Sequence, residues 1–130
     1  MNKNHRPINV DPADLMRFAW PVTALASITH RISGVIIFVG IAFALFAFDL
    51  SMSSEESFNA LAGMLGSPIG KLITFGLLAA LGYHFVAGIK HLFQDMEVGE
   101  TLEGGTFAAR TTLLFGAIMI VLAGIWVIQL

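Results

Sequence analysis

The chain contains no cysteine. Disulfides, thiolate-held zinc, cysteine-ligated iron–sulfur clusters and cysteine nucleophiles are therefore excluded for this polypeptide. Charge is the second scarcity. Asp, Glu, Lys and Arg make up 12% of the 130 residues, against about 25% in an ordinary soluble domain. The net charge of −2 shows no basic excess, so nothing points to nucleic acid as a partner. The segment Met1 to Asp14 lacks the apolar stretch of a secretory signal peptide, and it is too short and too acidic for a mitochondrial transit peptide. No internal repeat or low-complexity tract is visible. Membrane insertion would have to use the body of the chain, and a bacterial inner membrane is the expected location.

Apolar residues are abundant, at 56% of the chain. They fall into three blocks, at about 21–48, 69–93 and 109–128. The expectation is an all-α integral membrane protein with three transmembrane helices, forming one membrane-anchor domain over 1–130. A helix over 21–48 would be about 42 Å long at 1.5 Å per residue, more than the roughly 30 Å of a hydrocarbon core. Thr23, Ser27, His30 and Arg31 crowd its first half, so that end should sit at the interface, with Pro21 in the first turn. Asp49 to Ser57 reads as a polar loop, followed by a mixed stretch to Ser67-Pro68. Gln94 to Gly105 reads as an acidic loop. Lys3, Arg6, Arg17, Arg31, Lys90 and Arg110 fall on one side of this layout and only Lys71 on the other. The excess of cations puts the N-terminus and second loop in the cytoplasm, and the first loop and C-terminus outside.

Within the second block, His84, Gly88, His91 and Asp95 recur at i, i+4, i+7 and i+11, on one helix face. An ionisable side chain as deep as His84 is costly in hydrocarbon and calls for a specific partner. His84 and His91 are separated by about 10 Å along the axis, close to the distance from a haem iron to its propionates. If His84 ligated iron, the propionates would reach the level of Lys90 and His91. His91 could not then be the second axial ligand, because two residues on one helix face cannot bracket one iron. His30 lies a turn or two shallower and suits a propionate better. A second histidine ligand would come from another polypeptide. Gly88 would admit a flat ring or a neighbouring helix. The other reading of His84 is a structural hydrogen bond between helices, and of His91 a headgroup contact.

Ser27 and Arg31 are i and i+4 at interface depth, with His30 close by. A quinone head group needs donors to its carbonyl oxygens in an otherwise apolar pocket, and these residues supply them. Alternatively Arg31 is a topology anchor, and Ser27 and Ser33 pack between helices. Trp20 and Trp126 fit interfacial anchors. The eleven Phe residues fit lipid-facing or packing positions, and the six scattered Met residues show no ligand spacing.

Two sets of residues carry a resemblance to a known family. One is Arg6-Pro7-Ile8-Asn9 with Ser27-Ile28-Thr29-His30-Arg31-Ile32-Ser33-Gly34; the other is His84-x-x-x-Gly88-Ile89-Lys90-His91-Leu92-x-x-Asp95. Together they resemble the cytochrome b556 membrane anchors of succinate dehydrogenase, the succinate:quinone oxidoreductase, over nearly the whole chain. The resemblance implies a heteromeric helical bundle with a second membrane anchor subunit. It implies that His84 is the axial ligand of a haem b whose other ligand the second anchor supplies. Ser27 and Arg31 then match the ubiquinone site, and His30, Arg31 and His91 match the surroundings of the haem propionates. An iron–sulfur subunit and a flavoprotein subunit would complete the complex, the flavoprotein oxidising succinate. Lys90 stands where the family commonly has arginine, keeping the charge but losing the bidentate fork. Competing expectations are the anchor of a quinol:fumarate reductase, a small transporter subunit with His84 and His91 as a proton relay, and an anchor that has lost its haem.

Overall fold

Helix α1, Val22–Ser53, starts where Pro21 holds an extended backbone (φ −59°, ψ 146°) and runs 32 residues. Helices α2 (Glu55–Gly66), α3 (Pro68–Asp95) and α4 (Leu102–Gln129) follow. The computed structural model describes Ala13, Arg17, residues 19–99 and residues 101–130, and no strand occurs among them. Lys3, His5, Arg6, Pro7 and Asn9 lie outside the described residues.

Three of these helices, α1, α3 and α4, are long and apolar enough to cross a bilayer. At 32, 28 and 28 residues they are about 48, 42 and 42 Å long. Their ends lie beyond the apolar blocks because a helix does not stop where hydrocarbon stops. Asp49 to Ser53 continues α1 rather than forming a loop, with the Ser51 and Ser53 hydroxyls donating back to carbonyls of their own helix. Residues 55–66 are a helix, not a mixed connection. Ser54 caps it by accepting from Ser57 N–H while Ser57 Oγ accepts from Ser54 N–H, and Glu55 and Glu56 complement the positive end of its dipole. At 12 residues α2 is too short to span. Ser57 Oγ also donates to Leu50 O at 2.8 Å, fastening α2 to α1.

The loop expected over Gln94 to Gly105 is likewise shorter. Leu102 to Ala108 already belongs to α4, because Thr101 Oγ1 caps it by accepting from Gly104 N–H. The turn before it needs backbone with positive φ, at Glu97 (62°) and Gly99 (81°). Gly104 is needed for close approach: a Cβ there would lie 2.9 Å from Gly99 Cα.

The central helix α3 packs against α4 and α1, while α1 and α4 touch each other less. The buried seam consists of small residues at near-heptad spacing: Ala26, Ser33 and Gly40 on α1, Ala80 and Ala87 on α3, and Ala109, Thr112 and Gly116 on α4. Lipid chains are as apolar as leucine, so helices in a bilayer associate by close packing of small residues rather than by burying large ones. The large side chains accordingly face outward, Phe38 being 77% exposed. One large residue enters the seam. The Tyr83 ring fills the space over Gly116 of α4, and its hydroxyl meets Thr29 Oγ1 and donates to Ala26 O (3.2 Å) on α1. This side chain therefore ties all three spans together at one level. The next residue is His84.

Candidate functional site

Tyr83 fixes the rotation of α3, and that rotation turns His84 onto α1. His84 Nδ1 lies 3.2 Å from the His30 carbonyl oxygen and 3.1 Å from Ser33 Oγ. A carbonyl can only accept, so Nδ1 carries the imidazole proton and the lone pair is on Nε2. His84 is half-buried, and its Nε2 has no hydrogen bond among the described residues, nor is it buried out of reach. Gly34 makes the approach possible, since a Cβ there would sit 3.1 Å from His84 Cε1.

The His30 ring stacks on His84 with centroids 4.2 Å apart and planes 26° from parallel. On its other side it meets His91, at 4.8 Å and 34°. His30 is thus inserted between the two histidines of α3, its ring about one turn shallower than His84, at the lower end of the expected offset. Close packing of the α1 and α3 seams brings its carbonyl within reach of the deeper histidine. His30 Nε2 is buried with no hydrogen-bond partner among the described residues, and an unmet polar atom of that kind costs about 1–3 kcal/mol.

Ser27 is half-buried and Arg31 exposed. Counting 100° per residue, they sit about 100° and 140° round α1 from the buried Ala26. Arg31 points outward and Ser27 lies at the edge of the packed face, and neither makes a hydrogen bond or ion pair among the described residues. Arg31 and Lys90 lie within electrostatic reach of His91, as does Asp95. The Lys90 side chain lines an open groove of about 500 Å³ between α3 and α4, with Phe93, Gln94, Phe107 and Thr111. A Cβ at Gly88 would meet no atom within 4 Å. Trp20 and Trp126 are 40% and 53% exposed, near opposite ends of the bundle.

The structure therefore gathers His30, His84 and His91 into one column and leaves Ser27 and Arg31 on an adjoining, outward face. Sequence reasoning did not single out Tyr83, Thr29 or Gly34, and gave Ser33 only a packing role. The signal for Ser33 and Gly34 lay in their position one turn beyond His30, but their contacts cross to a residue about fifty positions away.

The arrangement suits a haem on several counts. One imidazole has its Nδ1–H accepted and its other nitrogen open, which is how a histidine ligates iron. Among the described residues His84 is the histidine placed to do so, because it stands at the end of the column, with His30 and then His91 following on one side of it. Cationic and imidazole groups gather toward the interface, where carboxylates of a cofactor could be met.

The model of the succinate dehydrogenase/fumarate reductase transmembrane subunit family matches residues 2–125. A protein of Coxiella burnetii named succinate dehydrogenase cytochrome b556 subunit is 36% identical over 123 residues, covering 94% of this chain and 96% of that one. A Paracoccus denitrificans protein of the same name is 27% identical over 122 residues, covering 94% and 92%.

Proposed function

The chain belongs to the succinate dehydrogenase/fumarate reductase transmembrane subunit family, and from that membership we propose that it is the cytochrome b556 anchor of a succinate:ubiquinone oxidoreductase in a bacterial inner membrane. A second anchor subunit, an iron–sulfur subunit and a flavoprotein subunit complete the complex. Electrons leave succinate at the flavoprotein, cross the iron–sulfur subunit and reach quinone at the membrane. Both relatives are named for succinate dehydrogenase, which favours succinate oxidation over fumarate reduction.

The observation that carries this reading is the state of His84, with Nδ1–H accepted on α1 and Nε2 open. His84 would hold the iron of a haem b through Nε2, and the companion anchor would supply a further ligand. When bound, the haem supplies a one-electron carrier of tunable potential. His30, His91 and Arg31 would hold its propionates, and the unmet His30 Nε2 would find its hydrogen bond there. Ser27 and Arg31 donate to the carbonyl oxygens of ubiquinone. Arg31 in particular stabilises negative charge as it develops on a quinone oxygen, which counts for most in a site that excludes water. The N-terminal end of α1 is the cytoplasmic end. Arg17, Arg31, Lys90 and Arg110 gather there and Lys71 stands at the other, as the distribution of cations demands.

A proton relay is less well supported. Relays need donors and acceptors joined in sequence, whereas these rings meet face to face and His30 Nε2 is unpartnered among the described residues.

The test is to express the chain with an affinity tag together with its companion subunits. We expect it to purify with a flavoprotein and an iron–sulfur protein, to reduce ubiquinone with succinate, and to show a low-spin b-type spectrum. A colourless preparation free of both partners overturns the proposal.

A further inference from the structure

We propose that Ser33 and Gly34 are positioning residues for the His84 imidazole, Ser33 through its hydroxyl and Gly34 through the side chain it lacks. The inference rests on the reading of His84 as an axial ligand. A histidine that gives one nitrogen to a metal holds its proton on the other, and whatever accepts that proton sets the ring's angle and basicity.

Here the acceptors belong to α1, a different span from the ligand. Nδ1 faces the His30 carbonyl at 3.2 Å and Ser33 Oγ at 3.1 Å, while Ser33 Oγ donates to the same carbonyl at 2.7 Å. The hydroxyl proton is thus committed to the carbonyl, and an oxygen lone pair is left for Nδ1–H. Ser33 is 5% exposed, so water does not compete for the contact. Gly34 completes the socket. A Cβ at that position would lie 3.1 Å from Cε1 and 3.5 Å from Nδ1, and would push the ring off its acceptors. Ser33 and Gly34 are successive residues, yet one holds the ring by a bond and the other by clearance.

A well-accepted Nδ1–H makes the imidazole a stronger donor to iron and favours the oxidised metal. Loss of the Ser33 acceptor should therefore raise the haem midpoint potential and loosen the ligand. The released carbonyl can take up only part of the difference, because its distance is set by the packing of α1 on α3.

The test uses the whole complex purified in detergent, carrying Ser33→Ala, Gly34→Ala or His84→Ala. Redox potentiometry reads the haem midpoint, and flash photolysis reads the rate of CO binding to reduced haem. Ser33→Ala is expected to assemble with haem, to shift the midpoint to a more positive value, and to speed CO binding about 10-fold. The figure takes the lower end of the about 10–100-fold loss in metal affinity that follows removal of a ligand's hydrogen-bond partner. Gly34→Ala is expected to speed CO binding further. A purely structural serine would leave both readouts where they are in wild type.

Unchanged midpoint and CO kinetics in Ser33→Ala, together with a lost or altered spectrum in His84→Ala, overturn the positioning role and leave the axial assignment standing. A normal spectrum in His84→Ala overturns the axial assignment and this inference with it. If Ser33→Ala does not assemble, Ser33→Cys is read in its place, since sulfur keeps the volume but is a much weaker acceptor. The same positive shift is expected there, and its absence overturns the proposal.

Discussion

In a complex carrying Arg31→Ala, succinate-driven reduction of ubiquinone is expected to fall about 100-fold, the usual effect of removing one donor from a site where negative charge develops. The amount of assembled, flavin-containing complex is expected to change little. The asymmetry follows from where Arg31 stands. It is exposed, turned away from the seam that holds α1 to α3 and α4, and makes no hydrogen bond or ion pair within the described chain. Removing it takes nothing from the packing of this subunit. What is lost is a planar guanidinium able to meet a quinone oxygen with two N–H groups. Arg31→Lys restores the charge but not the fork, so turnover returns in part. Steady-state kinetics against ubiquinone, with flavin content as the measure of assembly, decides the matter. Parallel loss of turnover and assembly would make Arg31 a structural or topological residue and remove it from the quinone site.

Gly116→Ala is expected to destabilise the assembled anchor by about 1–3 kcal/mol, the range for forcing a methyl into a packed seam. The added Cβ would overlap the edge of the Tyr83 ring, 2.9 Å from Cε2. That ring cannot easily give way. Its hydroxyl is held by Thr29 Oγ1 and the Ala26 carbonyl on α1, so moving it breaks buried hydrogen bonds, which are expensive to leave unmade. The consequence extends beyond stability. Tyr83 precedes His84, and rotation of α3 to relieve the clash would carry the imidazole away from Ser33 and the His30 carbonyl. Gly116→Ala is therefore expected to disturb the haem spectrum as well, although Gly116 is on a different helix from both. The comparison is Gly76→Ala, where an added Cβ meets nothing within 4 Å. SDS denaturation of the two variants beside wild type gives the measurement. Equal stability of the two would show that the seam tolerates a methyl at 116, and that Tyr83 is not the fixed point described here.

The three long helices were legible because hydropathy and length alone require them, and lipid exposure leaves their large apolar residues uncovered in just the pattern the sequence displays. Helix α2 was not. Its polar Ser54, Glu55 and Glu56 look like a loop when the search is for apolar blocks, yet together they are a helix start: a capping hydroxyl followed by acidic first-turn residues. The same bias shortens α4 in the sequence: Gly104 and Gly105 read as loop residues, although Thr101 caps them into the first turn.

At the site, the periodicity of His84 and His91 on one face of α3 could be read directly, because it is local to a single helix. The insertion of His30 between them could not. It depends on how far α1 slides along α3, and that is set by contacts such as Ala26 and Ser33 against Tyr83 and His84, which no spacing within one helix encodes. Tyr83 illustrates the difficulty well. A lone aromatic in an apolar run looks like packing, and only its Thr29 and Gly116 neighbours show it to be the residue that joins three spans. Lys90 shows the reverse case. It stands at the level of His91, where the propionates were expected, but one residue on an α-helix is about 100° of rotation, and its side chain lines the α3–α4 groove.

The most direct test of the central claim, that His84 ties this chain to a haem, is the reduced-minus-oxidised visible spectrum of the purified complex with His84 intact and with His84→Ala. The geometry of a fixed Nδ1–H and an open Nε2 predicts a low-spin b-type signal in the first, and its loss or conversion to a high-spin form in the second. An identical low-spin spectrum from both would contradict it, leaving His84 as an interhelical contact and the iron to other ligands.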